Sequence, residues 1–414
     1  MDLQRLGETV KALRKRRGLT QSQLAGEELT KGYISQIEHG RIAPSIRTLG
    51  LLASRLGCSV ADLMGPGLAN DVLDEAESAF LQGDLNGGWS RLEQLTGARE
   101  LIPRYLVLAA EIGARLGKDR TPELINLAMA EGTLSNTDRA RVYNAWGLYL
   151  AAQGNPEDAL ERFEKARELL EGGTADIPLK LRVLSNCGNF QARLGRQREA
   201  LARLQECLEI SRRSGIHLSD GAIYTTLGVV YRRLGDKAQA EDALRRALSY
   251  YRADGDKQME GGCLHNLGIV YRNMAKLQEA EEYFRQALKI FTPGNSGRSN
   301  TLFELSQVLV EQERITEAYE LLEQINPSQL NACDKPRYPL MKARCQRQLG
   351  HPDQAVETLR SAAAVLKTAP QDLQVEVAKE EAFALMELGR VQEAQEAINR
   401  SMQLMGKAAG GNQA

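Results

Sequence analysis

The chain has 414 residues, 43% of them hydrophobic and 26% charged, with a formal net charge of −1. This length allows two or three domains with buried cores, and the near-neutral total argues against a general nucleic-acid coat. We see no leader segment, and no apolar run approaches the roughly 20 residues that span a bilayer. We therefore expect a cytoplasmic protein with no membrane partner.

Positive charge is concentrated at the start of the chain. Residues 1–66 hold ten Lys and Arg against six Asp and Glu, whereas the remainder holds 43 against 48. Residues 1–66, which we call the head, are therefore basic while the remainder is acidic, and the head is the part suited to a polyanionic partner.

The head carries the pattern of five short helices. An apolar residue recurs at helical spacing at Leu6, Val10 and Leu13, and this first helix stops near Gly18. Thr20 and Thr30 are placed to cap the second and third helices, the third running from Lys31 to His39. Two further helices, Ser45 to Leu56 and Ser59 to Met64, complete a small core.

The third helix has one apolar and one polar side. Ile34 and Ile37 face inward, which leaves Lys31, Gly32, Ser35 and Gln36 on the outer face. Lys and Gln side chains suit the phosphates and base edges of a DNA major groove. The pattern predicts a helix-turn-helix that binds DNA.

Three segments resemble the Xre/Cro-type helix-turn-helix family: LTQSQLA from Leu19, YISQIEHG from Tyr33, and PSIRTLGLLASRLGCS from Pro44. The resemblance implies a five-helix, lambda-repressor-like domain and a double-stranded DNA operator as partner. It also implies a set of DNA contacts: Gln21 on a phosphate, Lys31, Gly32 and Gln36 on base edges, and Arg41 on the backbone. The turn between Ala25 and Ile34 is one residue shorter than the commonest form, as in relatives whose helix-turn-helix precedes helical repeats.

Several residues of the head have two interpretations. Tyr33 either touches a phosphate or covers the core, and Ser35 lies on the same outer face. The resemblance implies that Arg14 pairs with Glu38 inside the domain, and an acid at a helix C-terminus needs such a partner. The basic run from Arg14 to Arg17 is either a solvated surface or a further phosphate contact.

Repeats follow a predicted domain boundary at Gly65, Pro66 and Gly67. The clearest copies are NCGNFQARLGRQREALARLQECL from Asn186, TLGVVYRRLGDKAQAEDALRRAL from Thr226 and NLGIVYRNMAKLQEAEEYFRQAL from Asn266, each 40 residues after the last. A glycine lies in each first helix and an alanine twelve residues later in each second helix: Gly188, Gly228 and Gly268 with Ala200, Ala240 and Ala280. Such small residues allow two helices to approach closely.

This pattern resembles the tetratricopeptide repeat, and weaker copies raise the number to about nine helix pairs. The resemblance implies a right-handed α-solenoid whose first helices line a concave surface. The predicted fold is therefore all-α. We predict a helix-turn-helix domain at 1–66, a repeat domain for sensing and dimerisation at 71–405, and a flexible tail at 406–414.

No catalytic arrangement is recognisable in the sequence. The six cysteines lie far apart without a CxxC pair, and the four histidines form no metal-binding or triad spacing. We therefore expect no enzymatic activity, no disulfide, no metal and no cofactor.

The concave face is the expected ligand site. If the small residue sets the register, the side chains pointing into the groove or lying at its rim include Arg141, Asn144, Arg182, Asn189, Arg232, His265, Arg272 and Asn273. Asn can bond a peptide backbone through both its donor and its acceptor, and Arg can grip a carboxylate. These residues favour a short peptide, although solvation of an open groove or ion pairs between repeats would explain them individually.

A helix-turn-helix head followed by long tetratricopeptide repeats resembles the RRNPP-type quorum-sensing regulators. That resemblance implies a homodimer formed by the repeat domain and a signalling peptide that controls transcription from the operator. Two alternatives remain open. The repeats bind a protein partner or only hold a dimer together, or the head has become a protein-interaction module that sequesters a response regulator.

Overall fold

The computed structural model describes residues 3–58, 60–95, 103–171 and 176–410. It divides into two compact units, Met1–Leu218 and Ser219–Ala414. Within the described ranges every regular element is an α-helix, apart from one short 3-10 turn at Pro327–Gln329. The predicted all-α class is confirmed.

The head begins with four helices, α1 (Leu3–Arg16), α2 (Gln21–Ala25), α3 (Lys31–Glu38) and α4 (Ile46–Leu56). The starts of α2 and α3 follow from local chemistry, as predicted. The Thr20 side chain accepts from the backbone N–H of Gln23, whose own side chain bonds back to Thr20. Thr30 accepts in the same way from the backbone N–H of Tyr33. Each cap satisfies a donor that the first helical turn leaves free.

The core of the head depends on a close approach between α1 and the end of α3. A Cβ added to Gly7 would lie 2.4 Å from the backbone oxygen of Ile37, so only glycine fits there. Apolar side chains from α1 to α4, with one from the next helix, fill the space inside: Leu6, Val10, Leu24, Ile34, Ile37, Leu49, Leu52, Leu56 and Leu63. This packing leaves the opposite side of α3 facing outward.

Helix α5 (Val60–Leu81) corrects the predicted break at Gly65–Gly67. The helix is continuous through this segment. Pro and Gly lower local helix propensity, but Leu63 packs into the core of the head while Leu73 and Ala76 pack into the first repeat. Burial at both ends outweighs propensity. One helix thus serves two cores, and the domain limits at 66 and 71 stay a prediction.

Nine helix pairs follow in the described ranges, and the three clearest sequence copies each correspond to one of them. They are α5 with α6 (Leu85–Gln94), α7 (Pro103–Leu116) with α8 (Thr121–Ala130), α9 (Asn136–Ala152) with α10 (Pro156–Leu169), α11 (Ile177–Arg193) with α12 (Gln197–Ser214), α13 (Asp220–Leu234) with α14 (Lys237–Asp254), α15 (Lys257–Asn273) with α16 (Leu277–Ile290), α17 (Ser296–Glu311) with α18 (Ile315–Glu323), α19 (Arg337–Gln348) with α20 (Pro352–Ser361), and α22 (Gln371–Glu387) with α23 (Val391–Gly410). A short helix, α21 (Ala363–Lys367), precedes the last pair.

The predicted small residues hold these pairs together. A Cβ on Gly228 would lie 2.5 Å from Leu244, and one on Gly268 would lie 2.5 Å from Phe284. The paired alanines Ala240 and Ala280 are fully buried. Close helix contact at these positions is confirmed.

A residue with positive φ links the two helices in most pairs. It lies two positions before the second helix and is glycine at Gly83, Gly154, Gly195, Gly235, Gly350 and Gly389. Ala275, with φ of 60°, and Glu313, with φ of 63°, hold the same position in the pairs α15–α16 and α17–α18. An L side chain is strained in this conformation.

The end of the chain also departs from prediction. α23 continues to Gly410, so residues 406–410 of the predicted tail are helical. Residues 411–414 of that tail lie outside the described residues, and so do Ser59, 96–102 and 172–175 of the predicted domains. No helix in the described ranges combines the length and apolar character that a bilayer crossing requires.

Candidate functional site

The outer face of α3 is open to solvent. Lys31, Gly32 and Gln36 are exposed on the side opposite the buried Ile34 and Ile37. Arg41, just beyond the helix, is exposed as well. The structure therefore brings these four predicted contact residues onto and beside one accessible helix.

Gly32 has no packing role in the described residues. The nearest atom to a Cβ built on it is the Thr30 hydroxyl oxygen, 4.0 Å away, and its φ is not positive. Neither backbone strain nor crowding within the chain accounts for glycine here. A bare backbone at the start of an exposed helix leaves room for close approach by another molecule.

The other predicted contacts on α3 are less open. Tyr33 is half-buried and packs partly against the core of the head. Ser35 is also half-buried, and its backbone oxygen lies 2.7 Å from His39 Nδ1. For Tyr33 this packing favours the core-covering interpretation.

Gln21 belongs to a buried network around Glu38. Arg14 Nη2 donates to Glu38 Oε2 at 3.0 Å, and Gln21 Nε2 donates to the same oxygen at 2.8 Å. Burial works to raise the pKa of Glu38, but the bonds from Arg14 and Gln21 outweigh it and hold the pKa below its usual value. The pairing of Arg14 with Glu38 is present, and Gln21 takes part in it.

In the first unit, two of the expected ligand residues are engaged within the chain. Arg141 Nη2 lies 2.6 Å from the buried Glu111 carboxylate. Asn144 is buried and accepts a hydrogen bond of 2.8 Å from Asn186. Packing between helix pairs accounts for both side chains.

Two other residues of the first unit remain available. Asn189 is exposed, and the half-buried Arg182 has a buried Nε atom without a hydrogen-bond partner in the described structure. Burial lowers the pKa of Arg115, and the charge of Arg182 lowers it further. Two arginines near each other in a partly closed site favour an anion.

In the second unit, Arg232, His265 and Arg272 come together. Burial, together with smaller effects from the charges of Arg232 and Arg272, lowers the pKa of His265 to about 4. Burial likewise lowers the pKa of Arg232, with smaller effects from Arg233 and Arg272. Asn273 is exposed. We call the group of Arg232, His265, Arg272 and Glu304 the basic cluster.

Sequence reasoning missed the acidic member of this cluster. Glu304 Oε2 lies 2.6 Å from Arg272 Nη1, and burial raises the pKa of Glu304. Arg232, Arg337 and Asp334 act electrostatically on the same carboxyl group. The groove positions were expected six and three residues before the small residue of each repeat and one and four residues after it. The small residue of this repeat is Ser306, and Glu304, two residues before it, lies outside that register.

Gln307 was also missed, although it directly follows Ser306 and so fits that register. Its Nε2 is buried without a hydrogen-bond partner in the part of the chain described. Gln307 also lines a cavity of about 250 Å³ with Arg337 and Arg344. Polar groups of the second unit thus line this cavity, and one of them, Arg337, also acts electrostatically on Glu304 of the basic cluster.

A larger cavity of about 780 Å³ lies among α20, α21, α22 and α23. Three of its charged groups pair with one another: Arg360 and Arg400 both bond to Glu381. In the described ranges, no group of three or more His, Cys, Asp and Glu is placed to hold a metal ion.

Two kinds of family model match the chain. A helix-turn-helix model matches residues 10–63. Tetratricopeptide-repeat models match 138–213, 179–253 and 262–325, with a further match at 337–361. These ranges agree with the helix-turn-helix and with the repeats of the structure.

Among curated proteins, the immunity repressor protein of Bacillus phage phi105 is 43% identical over 61 residues, which is 14% of this chain. The chain covers 42% of that repressor's length. The HTH-type transcriptional regulator DdrOP3 of Deinococcus deserti is 34% identical over 110 residues, 23% of this chain and 84% of its own length.

Among solved structures, the apo form of the quorum sensor NprR from B. thuringiensis has a TM-score of 0.61 at 18% identity, covering 81% of this chain and 98% of its own. NprR in complex with its cognate peptide NprX has a TM-score of 0.53 at 17% identity, covering 83% and 99%. These TM-scores establish a common fold, and identities below 20% establish nothing further. The chain belongs to the HTH-type transcriptional regulators, with a helix-turn-helix domain followed by tetratricopeptide repeats.

Proposed function

We propose that this protein binds a specific DNA operator through α3 and that a short peptide, bound by the repeats, controls this activity. The observation that carries the proposal is the exposed face of α3. Lys31, Gly32 and Gln36 lie free on a helix whose other side is fixed in a core. A rigid helix with an open polar face is the element that enters a major groove.

Each exposed residue of the head has a role that its chemistry supports. Gln36 pairs with a base edge through its amide, and Lys31 reaches a phosphate or a guanine. Gly32 lets the backbone of α3 approach the bases closely. Arg41 contacts the DNA backbone. Gln21 keeps one amide hydrogen beyond its bond to Glu38, and we assign that hydrogen to a phosphate.

Ligand binding by the repeats is supported by polar groups that the fold leaves unused. Arg232 Nε and Gln307 Nε2 are buried in the second unit without a partner among the described residues. Buried donors without partners cost free energy, about 1–3 kcal/mol each, so a ligand with acceptor groups stabilises this state. NprR, which has the same fold, forms a complex with its cognate peptide NprX.

Control follows if the peptide prefers one arrangement of the repeats. Shifting a 1:99 equilibrium to 99:1 takes about 5.5 kcal/mol of preference. Small rotations add along a series of stacked helix pairs. We also propose that the repeats hold a homodimer, because paired heads on a palindromic operator would then move together.

The test of DNA binding uses the full chain and sheared genomic DNA. Fragments retained by the protein are sequenced to define the site, and affinity is then measured by fluorescence anisotropy. We expect Lys31→Ala with Gln36→Ala to lower the affinity for that site at least a hundredfold, because both side chains face the bases. Lys31→Ala alone should reduce the slope of log affinity against log salt by about 0.9.

A matched control removes the same residue types elsewhere. Gln286 and Lys289 are exposed on α16, and replacing both with Ala should leave operator affinity unchanged. Unaltered binding by the α3 double variant would show that α3 does not read the operator.

A second function is favoured by a different surface. The last two helices expose large apolar side chains: Phe383 and Met386 on α22, and Val391, Met402 and Met405 on α23. Such residues suit a protein partner, and the chain would then be a DNA-binding adaptor without a small ligand. This function would be favoured if the full chain bound a protein partner through these side chains and its operator affinity did not change with any peptide tested.

A further inference from the structure

The His265 ring in the basic cluster has a defined hydrogen-bonding state. Its Nδ1 lies 2.9 Å from the Thr301 hydroxyl oxygen, and that oxygen lies 2.7 Å from the backbone oxygen of Gly297. A hydroxyl group has one hydrogen. Two oxygens at 2.7 Å require that hydrogen between them, so Thr301 donates to Gly297.

It follows that the His265 ring donates to Thr301 through Nδ1–H. The ring is neutral, because burial and the charges of Arg232 and Arg272 depress its pKa to about 4. A neutral imidazole carries only one N–H, so Nε2 is a bare acceptor.

The basic cluster therefore presents two opposite requirements. Arg232 Nε is buried without a hydrogen-bond partner in the described structure, and Arg272 keeps N–H donors beyond its ion pair with Glu304, so both can donate to an acceptor. His265 Nε2 can only accept. The groups acting on Glu304 add Arg337 and Asp334, so three arginines face two carboxylates and leave an excess positive charge. The last residue of a peptide fits these groups. Its carboxylate accepts from the arginines and offsets the excess positive charge, and its backbone N–H, two bonds from the carboxylate carbon, can donate to His265 Nε2.

We propose that the basic cluster binds the carboxy-terminal residue of a peptide, with Arg232 and Arg272 holding its carboxylate and His265 Nε2 accepting its backbone N–H. This rests on the proposed peptide-binding function and specifies which end of the peptide enters the second unit. The preceding peptide residue extends toward the cavity of about 250 Å³ that Gln307 lines. Peptides ending in a carboxamide bind poorly, because Arg232 and Arg272 then meet a neutral group.

The probe is a pair of random heptapeptide libraries that differ only in ending as a free carboxylate or as a carboxamide. Full-chain protein is incubated with each, and retained peptides are identified by mass spectrometry. We expect at least tenfold more retention from the carboxylate library. The best peptide is then remade with an ester in place of its last amide, which removes the N–H that His265 accepts, and should bind about tenfold more weakly.

Two variants of His265 distinguish the roles of its two ring nitrogens. His265→Gln places an amide oxygen near the position of Nε2, and should keep the preference for amide over ester. His265→Asn places its amide near Nδ1, so it retains the bond to Thr301 but lacks the outer acceptor. This second variant should bind the amide and the ester peptides equally, and circular dichroism verifies that both variants fold.

The outcomes distinguish this inference from the proposed function. Retention of peptides from both libraries to the same extent would leave peptide binding intact and overturn the carboxy-terminal assignment. An ester that binds as well as its amide would overturn the role of His265. Retention from neither library, with operator binding intact, would contradict peptide control itself.

Discussion

Gln21 Nε2 donates a 2.8 Å hydrogen bond to Glu38 Oε2, across the turn that separates the two helices of the helix-turn-helix. The same carboxylate holds Arg14 from α1. Three helices therefore meet at one buried charge. The side chain expected to touch phosphate also helps to set the angle at which α3 is presented.

The first prediction concerns this network. Glu38→Gln leaves Arg14 without a counter-charge in a nearly closed site, and we expect it to destabilise the head by about 3 kcal/mol. Hydrogen exchange of the α1 and α3 amides, measured by mass spectrometry on the full chain, reports that loss. Glu28→Gln is the control, since its ion pair with Arg55 involves an exposed carboxylate and exposed pairs contribute little.

The second prediction is the pH dependence of the same network. Because the fold lowers the pKa of Glu38, its stabilising contribution is present above the unfolded pKa and is lost as the pH falls through the folded pKa. Amide protection of α1 and α3 should decline from about pH 5 to pH 3. The decline should be smaller in E38Q, and an identical decline in both proteins would assign it to other carboxylates.

The third prediction concerns Gly32. Since a Cβ on Gly32 would meet only the Thr30 hydroxyl oxygen, at an uncrowded 4.0 Å, Gly32→Ala should stabilise α3 by up to about 1 kcal/mol and yet weaken operator binding. Gly50 on α4 also has open space around it, so Gly50→Ala should stabilise without loss of affinity. Tight DNA binding by G32A would exclude close approach of the α3 backbone to the bases.

The fourth prediction concerns the strained turns of the repeats. Ala275→Gly and Glu313→Gly should each raise the free energy of unfolding by about 1 kcal/mol, because glycine adopts positive φ without a steric penalty. Urea unfolding followed by circular dichroism measures the gain. Gly235→Ala, at the matching position of another pair, should produce a loss of similar size; a gain there would refute the strain argument.

The fifth prediction contrasts two arginines of the basic cluster. Arg232→Met removes a partly buried charge whose Nε has no partner in the described structure, so the unliganded protein should become more stable by about 1 kcal/mol. Arg272→Met should destabilise it, since Glu304 would lose its partner. Equal losses in the two melting temperatures would mean that Arg232 has a structural partner after all.

Much of the architecture could be predicted from neighbouring residues. Thr20 and Thr30 cap α2 and α3 because capping depends on a side chain and an N–H three residues apart. The repeats were predictable for a similar reason. Gly228 and Gly268 recur at a fixed distance from Ala240 and Ala280, and each pair packs within one supersecondary unit.

Local signals were insufficient where burial opposes them. Gly65, Pro66 and Gly67 favour a break, yet α5 continues through them because its two ends are anchored in different cores. In the same way, Arg141 and Asn144 have the register of groove residues, but Glu111 and Asn186 take up their polar groups.

The sequence by itself determined the helices, their caps, the repeat period and the polar face of α3, because each depends on residues close together in the chain. Only the tertiary structure decided which polar groups meet. Glu38 is paired with Gln21 from 17 residues away, and His265 with Thr301 from 36. Such pairings depend on how helices pack, and packing is set by the summed burial of many side chains. That is why Arg232, His265 and Arg272 could be expected at the groove from the sequence, whereas Glu304, which pairs with Arg272, was found only in the folded protein.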